Sequence, residues 1–210
     1  VVLTAPVPAL CEVEGDVAAL LPEALKAVPY SMRFALAAYY GAGAWEHLGA
    51  LPWAARYVGR DESDVVCFLS VDARKRGAYR RDESGNAVLR DGEDAAPSIL
   101  VHAGVPWSLA HRGDAPEDVT GALVGELNSL VPGLPAPEAL ELHPWQESQV
   151  RNPLPAADGS EEPAYALRAA TPDAFPLIFA GDALSGSNFE NCIASAHTAV
   201  ELLGLGAPPQ

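Results

Sequence analysis

Residues 176–203 read Pro176-Leu-Ile-Phe-Ala-Gly-Asp-Ala-Leu-Ser-Gly-Ser-Asn-Phe-Glu-Asn-Cys-Ile-Ala-Ser-Ala-His-Thr-Ala-Val-Glu-Leu-Leu203. The hydrophobic period changes along this stretch. Phe175 to Ala180 is a continuous apolar run of the length of a buried strand. Gly181-Asp182 and the small residues Ala183 to Ser187 interrupt it. Phe189, Ile193, Ala196, Val200 and Leu203 then recur at helical spacing, and Gly204, Gly206 and Pro208-Pro209 end the pattern. A strand that passes through a Gly-Asp turn into a helix gathers unpaired N–H groups and a positive dipole end in one place, which suits an electron-rich ligand oxygen. Gly181 lets a backbone approach, Asp182 can accept from a ligand hydroxyl, and Ser185, Gly186 and Ser187 leave the way open. An ordinary strand–loop–helix shares these features, so they choose no function by themselves.

Working outward, Val1 to Pro8 reads as a buried strand ending at a proline turn. A chain rarely begins on a core strand, so the expectation is a fragment with residues missing before Val1. Asp16 is placed to cap a helix carrying Val17, Leu20, Leu21, Ala24 and Leu25. Tyr30 to Tyr40, Trp53 to Val58, Val65 to Val71, Ser98 to Val105 and Glu138 to Trp145 are strand candidates. Asp72 to Pro97 is charged and aperiodic, and reads as a solvated hairpin excursion or mobile loop. Asp114 and Glu117 have capping-box spacing before the stripe Val119, Leu123, Leu127 and Leu130, which Pro132-Gly133 stops. Asn152 to Pro163 is a proline-rich loop, and no repeat of solenoid length recurs.

The chain has 210 residues, 49% of them hydrophobic, enough for a real core. Its formal charge of −15 argues against nucleic acid and against an anionic membrane as partners. No apolar run reaches the roughly 18 residues of a spanning helix, and no secretory leader is readable at Val1. Three widely spaced cysteines, Cys11, Cys67 and Cys192, argue against a disulfide framework or a zinc site and suit free or buried thiols in a reducing compartment. A cytoplasmic location is the expectation, with secretion left open because of the missing start.

Eight blocks carry a resemblance by their order and spacing. They are Val2-Leu-Thr-Ala-Pro-Val-Pro8, Tyr30-Ser-Met-Arg-Phe-Ala-Leu36, Pro52-Trp-Ala-Ala-Arg-Tyr57, Ser70-Val-Asp-Ala-Arg-Lys-Arg76, Leu100-Val-His-Ala-Gly-Val-Pro106, Leu130 to Pro137, Trp145 to Val150 and Gly181 to Ala196. Together they resemble the FAD-dependent amine-oxidase-like flavoproteins, and among these the renalase-like group. The resemblance implies an α/β (α+β) fold in two parts, a mixed-sheet substrate domain and the closing strand–helix of a Rossmann-like FAD domain. On that template residues 1–8 leave the FAD domain, 9–173 form the substrate domain, 174–205 return to the FAD domain and 206–210 are a tail.

The chemistry so implied is oxidation of 2- or 6-dihydroNAD(P) to NAD(P)+ by hydride transfer to FAD, with O2 reduced to hydrogen peroxide. The cofactor carries that chemistry, so no nucleophile or triad is required. By the same resemblance Gly181 and Asp182 contact the ribityl–pyrophosphate part of FAD, and Asn188, Phe189 and Glu190 lie near the pyrimidine edge of its ring. Tyr57, His102 and Trp145 line the nicotinamide side, where flat side chains suit a flat ring. Arg74, Lys75, Arg76, Arg80 and Arg81 can attract substrate phosphates, although a solvated charged loop explains them as well. His197 reads as a packing residue.

Three departures stand out. No GxGxxG fingerprint occurs, so the 210 residues alone are expected to bind FAD poorly. Cys67 stands where related sequences can carry a basic residue, and Arg81 to Asp94 has no family counterpart. Competing readings are an amine oxidase of the same superfamily and an extracellular signalling ligand that uses residues 72–97 independently of catalysis. Oligomeric state is not readable.

Overall fold

In the computed structural model, residues 1–85, 87–89, 96–156, 163–172 and 175–206 are described. The chain enters through β1 (Val2–Leu3) and three short helices, α1 (Val7–Cys11), α2 (Val17–Leu20) and α3 (Glu23–Lys26). Then come β2 (Tyr30–Tyr39), α4 (Ala44–Ala50), β3 (Ala55–Tyr57), β4 (Val66–Ser70), α5 (Asp72–Lys75), β5 (Tyr79–Arg81) and β6 (Ala87–Leu89). The middle continues with β7 (Ser98–Ala103), α6 (Val105–Ala110), α7 (Pro116–Leu130) and β8 (Ala139–Val150). It closes with β9 (Ala166–Arg168), β10 (Ile178–Ala180), α8 (Asp182–Ser185) and α9 (Phe189–Leu202). This is the expected α/β class.

Two compact units result, one from Val1–Ser31 with Gln146–Gln210, the other from Met32–Trp145. These are limits of compactness. They do not decide the domain boundaries that the resemblance implies.

In the first unit β10 is the central strand of three, parallel to β1 and antiparallel to β9. Ile178, Phe179 and Ala180 are all buried, as a short strand covered on both faces must be. One core gathers Val7, Leu10, Leu21, Leu25, Phe179 and Leu184.

In the second unit the strand order is β3-β4-β7-β2-β8, and the β3/β4, β4/β7 and β7/β2 pairs are antiparallel. Alternation gives each strand a core face and an open face. Leu36, Leu69 and Val101 share one register row, all with 0% exposure, and α7 packs over β4 and β7 on that face. Val119, Leu123 and Leu127 are the buried stripe of α7, while Leu130 is half-buried at its end.

Several sequence expectations need correction. Only Val2 and Leu3 of residues 1–8 are strand, Val2 is exposed, and Val7 already begins a helix behind Pro6. Asp16 stands at the start of α2 but makes no side-chain cap, because its backbone (φ −88, ψ 3) lacks the extended geometry a cap needs. Pro22 then splits the expected helix into α2 and α3. The capping box is not formed either. Ala115 occupies the N-cap, and Asp114 Oδ2 instead lies 2.6 Å from His111 Nδ1. Pro116 at the first turn already has helical φ and no N–H to satisfy, so the cap moves one residue on.

Residues 72–97 contain the helix α5 and the β5/β6 hairpin. Arg74 Nη1 donates to the carbonyls of Leu51 and Trp53, and Arg81 reaches Gly85 O and Gly49 O. The rest of the expected loop, residues 86 and 90–95, lies outside the described residues. So do residues 157–162, half of the Asn152–Pro163 loop, whose described residues include a Pro155–Pro163 bridge. No described helix is long and apolar enough to cross a membrane.

Leu123 tests the account of the second unit's core. Its side chain is fully enclosed beneath β4 and β7. Leu123→Ala is expected to cost about 2–5 kcal/mol in urea unfolding, whereas Leu130→Ala costs clearly less.

Candidate functional site

The first unit builds its site at the end of β10. Gly181 has φ +108, and a Cβ placed there meets the Thr4 carbonyl oxygen at 3.3 Å. Only glycine accepts both conditions without strain. Its N–H donates to Ser195 Oγ (2.8 Å), and that hydroxyl donates to Tyr165 O (2.6 Å). Ser185 Oγ donates back to Gly181 O at 3.0 Å. The turn that follows is tied by its own side chains. Ser187 Oγ donates to Asp182 Oδ2 (2.8 Å), and Asn191 Nδ2 donates to Ser185 O (2.6 Å). Asn188 caps α9, its side chain accepting from Asn191 N at 2.8 Å. These bonds fix the Asp182 carboxylate and the first turn of α9 relative to β10 before any ligand arrives.

Beside this turn lies a cavity of about 880 Å³ lined by Gly181, Asp182, Asn188 and Phe189, with Thr4 and Ala196 among its other walls. Four of the five residues expected to contact a cofactor thus line one cavity. Glu190 does not line it and is exposed in the first turn of α9. Tyr30 belongs to the same unit, and its hydroxyl accepts from Val7 N at 3.2 Å. Burial pushes this phenol's pKa up, and the Asp182 and Glu147 carboxylates add to the rise.

The face of α9 is not the one its apolar period suggests. The buried residues are Ser195 and Ala199, whereas Phe189 is 76% exposed and Ile193 42%. Small residues let the helix sit close on β9 and β10, and the larger apolar side chains of its first turns are turned outward, while Leu203 packs at its end. His197 is exposed, not packed. Ser195 was missed by sequence reasoning. A hydroxyl four residues before Ala199 on a small-residue face is the signal that could have found it.

The second unit supplies a different surface. Tyr57, Phe68 and His102 occupy one register row across β3, β4 and β7, on the face away from α7. Tyr57 and Phe68 rings are tilted with centroids 5.2 Å apart, and Phe68 meets His102 edge-on at 5.6 Å. Tyr57 is 85% exposed. Phe68 was not singled out from the sequence, yet it joins the two residues that were. Trp145 is on β8, half exposed and edge-on to His143 at 4.4 Å. Among the described residues no ring contact links it to the Tyr57–Phe68–His102 row. Cys67 is tied into the sheet, its thiol donating to Ala103 O (3.4 Å) and accepting from Arg33 Nη1 (3.5 Å). All three cysteines are free, and no cluster of metal-ligating side chains occurs among the described residues.

His102 is held below its ordinary pKa, chiefly by burial and further by the Arg33 and Lys75 charges. The row therefore presents a neutral imidazole at neutral pH. The sign for stability follows. Because the folded pKa lies below the unfolded one, the unfolded state binds the proton more readily. This contribution is complete above the ordinary histidine pKa and is lost as pH falls through the folded value. An NMR titration of His102 is expected to give a midpoint below about 6.5, and Lys75→Gln should move it upward. A midpoint at or above the ordinary value contradicts this description.

No protein-family model matches the chain. Mouse renalase is 31% identical over 207 residues, a span of 97% of this chain and 53% of that protein. The chain therefore covers about half the length of this relative. Among solved structures, a protoporphyrinogen oxidase-like protein of Exiguobacterium sp. 255-15 superposes with a TM-score of 0.55 at 16% identity, covering 97% of this chain and 40% of the other. That likeness concerns the fold alone. Along nearly its whole length, then, the chain is similar to renalase, and its α/β fold resembles that of the Exiguobacterium protein.

Proposed function

We propose that the chain belongs to an FAD-dependent oxidase that converts 2- or 6-dihydroNAD(P) to NAD(P)+. The observation that carries the reading is the Gly181–Phe189 turn. It is a glycine-dependent close approach, followed by a fixed carboxylate and a capped helix start, all on one cavity of about 880 Å³. Its similarity to renalase along 97% of the chain supports the same choice.

The residues fit the cofactor. The cavity walls are largely apolar, as a flavin ring requires. Asp182 has one oxygen engaged by Ser187, leaving the other to accept from a ribityl hydroxyl. The first N–H groups of α9 offer partial positive charge toward an electron-rich ring edge. When bound, FAD supplies the hydride acceptor and returns the electrons to O2. The overall balance is dihydroNAD(P) plus O2 plus a proton, giving NAD(P)+ and hydrogen peroxide.

The second unit's aromatic row suits the other reactant. Tyr57 and Phe68 offer flat apolar surface to a dihydronicotinamide ring. A neutral His102 adds hydrogen-bonding capacity without placing a cation beside a ring that becomes cationic on oxidation. Trp145 offers a further exposed aromatic surface. Such a site works by orientation and exclusion of water.

Anaerobic stopped-flow mixing of the FAD-loaded full-length protein tests the assignment. Rapid bleaching of the flavin by 2- or 6-dihydroNAD, with little response to primary amines, is expected. Fast reduction by an amine and none by either dihydronicotinamide would place the protein with the amine oxidases instead.

A further inference from the structure

Five of the chain's thirteen lysines and arginines fall between residues 74 and 81, in a protein of net charge −15. The structure separates these cations by what they do. Arg74 and Arg81 are used to fasten the segment, each bonded to backbone carbonyls. Arg76 Nε is paired with Asp72 Oδ2 at 2.7 Å. Lys75 is exposed and has no ion-pair or hydrogen-bond partner among the described residues.

Lys75 and Arg76 line a cavity of about 390 Å³ on the open face of the second unit's sheet, with Ser70, Tyr39 and Ser98. Tyr39 is already committed, its hydroxyl donating to Glu141 Oε2 at 3.2 Å. Ser70 is not. It is 1% exposed, and its Oγ has no hydrogen-bond partner. A buried hydroxyl left without a partner is costly and calls for an explanation. Among the described lining side chains the charges are Lys75, Arg76 and Asp72, a net of one positive charge.

The position of this cavity is informative. Ser70 pairs with Leu100 in register, and Phe68 pairs with His102 two residues along the same strands. Alternation puts both pairs on one face, about 7 Å apart. Lys75 lies close enough to His102 to help depress its pKa. We infer that Lys75, with Arg76 and Ser70, forms a phosphoryl-anion subsite that receives the diphosphate of a dinucleotide whose nicotinamide ring lies on the Tyr57–Phe68–His102 row. This rests on the functional reading above and adds to it the reason a dinucleotide is preferred over a bare ring. The cavity is large enough for a phosphate group with its ribose, and one uncommitted ammonium beside a hydroxyl suits such an anion.

Two measurements on Lys75→Ala and Lys75→Arg keep the inference distinct from the function it rests on. In the first, KM is compared for the dihydronicotinamide dinucleotide and for the phosphate-free dihydronicotinamide riboside. Lys75→Ala is expected to raise KM for the dinucleotide about three- to tenfold and leave the riboside unchanged, with Lys75→Arg restoring most of the loss. Equal changes for both substrates would mean that Lys75 acts through His102 or through the fold, and the subsite is then wrong. The second measurement titrates the protein with inorganic pyrophosphate and with ADP-ribose by calorimetry at low and high salt. Salt-sensitive binding that Lys75→Ala weakens supports the subsite even where neither dihydronicotinamide is oxidised, a result that sinks only the oxidase reading. Binding of both probes that is indifferent to Lys75→Ala overturns the subsite.

Discussion

The first unit depends on one close approach. Gly181 leaves β10 with a backbone that no residue bearing a Cβ adopts comfortably, and it does so against the Thr4 carbonyl. Its N–H is taken by Ser195 from the middle of α9. That bond holds strand end and helix at a fixed offset, and the Ser195 hydroxyl in turn donates to Tyr165 O. It adds to the Ser185, Ser187 and Asn191 bonds that hold the turn from Asp182 to Asn188. Small residues at Ser195 and Ala199 permit the helix to come near enough for the bond to form.

The cost of that arrangement is visible on the other side of α9. Turning small residues inward leaves Phe189 and Ile193 in the open, beside a cavity whose walls are mostly apolar. A contiguous apolar surface of this kind marks a place where something binds. The second unit shows the same logic in a sheet. One face is closed by α7 over Leu36, Leu69 and Val101, and the other carries Tyr57, Phe68 and His102 in a single row. The acidic balance of the whole chain hides a local excess of basic residues between 74 and 81.

Much of this was legible in the sequence. The strand at Tyr30–Tyr39, the helix stripe Val119–Leu127 and the strand–turn–helix at the end follow from hydrophobic period and glycine placement. What the apolar period does not tell is which side of a helix packs. On α9 Phe189 and Ile193 face out while Val200 and Leu203 are half-buried, because backbone proximity to β10 puts the small residues Ser195 and Ala199 on the inner face. Local capping rules also failed where a proline took over the first helical turn, at Pro116, or where the backbone was not extended, at Asp16. Phe68 was missed because its role exists only once β3, β4 and β7 are in register. The same is true of the unpartnered Ser70 hydroxyl, which is an unremarkable strand residue until the sheet is assembled.

The central claim is that the Gly181–Phe189 turn holds FAD. Titration of the full-length apoprotein with FAD, followed by quenching of flavin fluorescence, tests it most directly. The account predicts that Asp182→Ala raises the Kd for FAD about tenfold, the weight of one hydrogen bond to a charged group. Asp114→Ala, at the start of α7, should leave it unchanged. Equal FAD affinity in Asp182→Ala and in the unaltered protein would contradict the account.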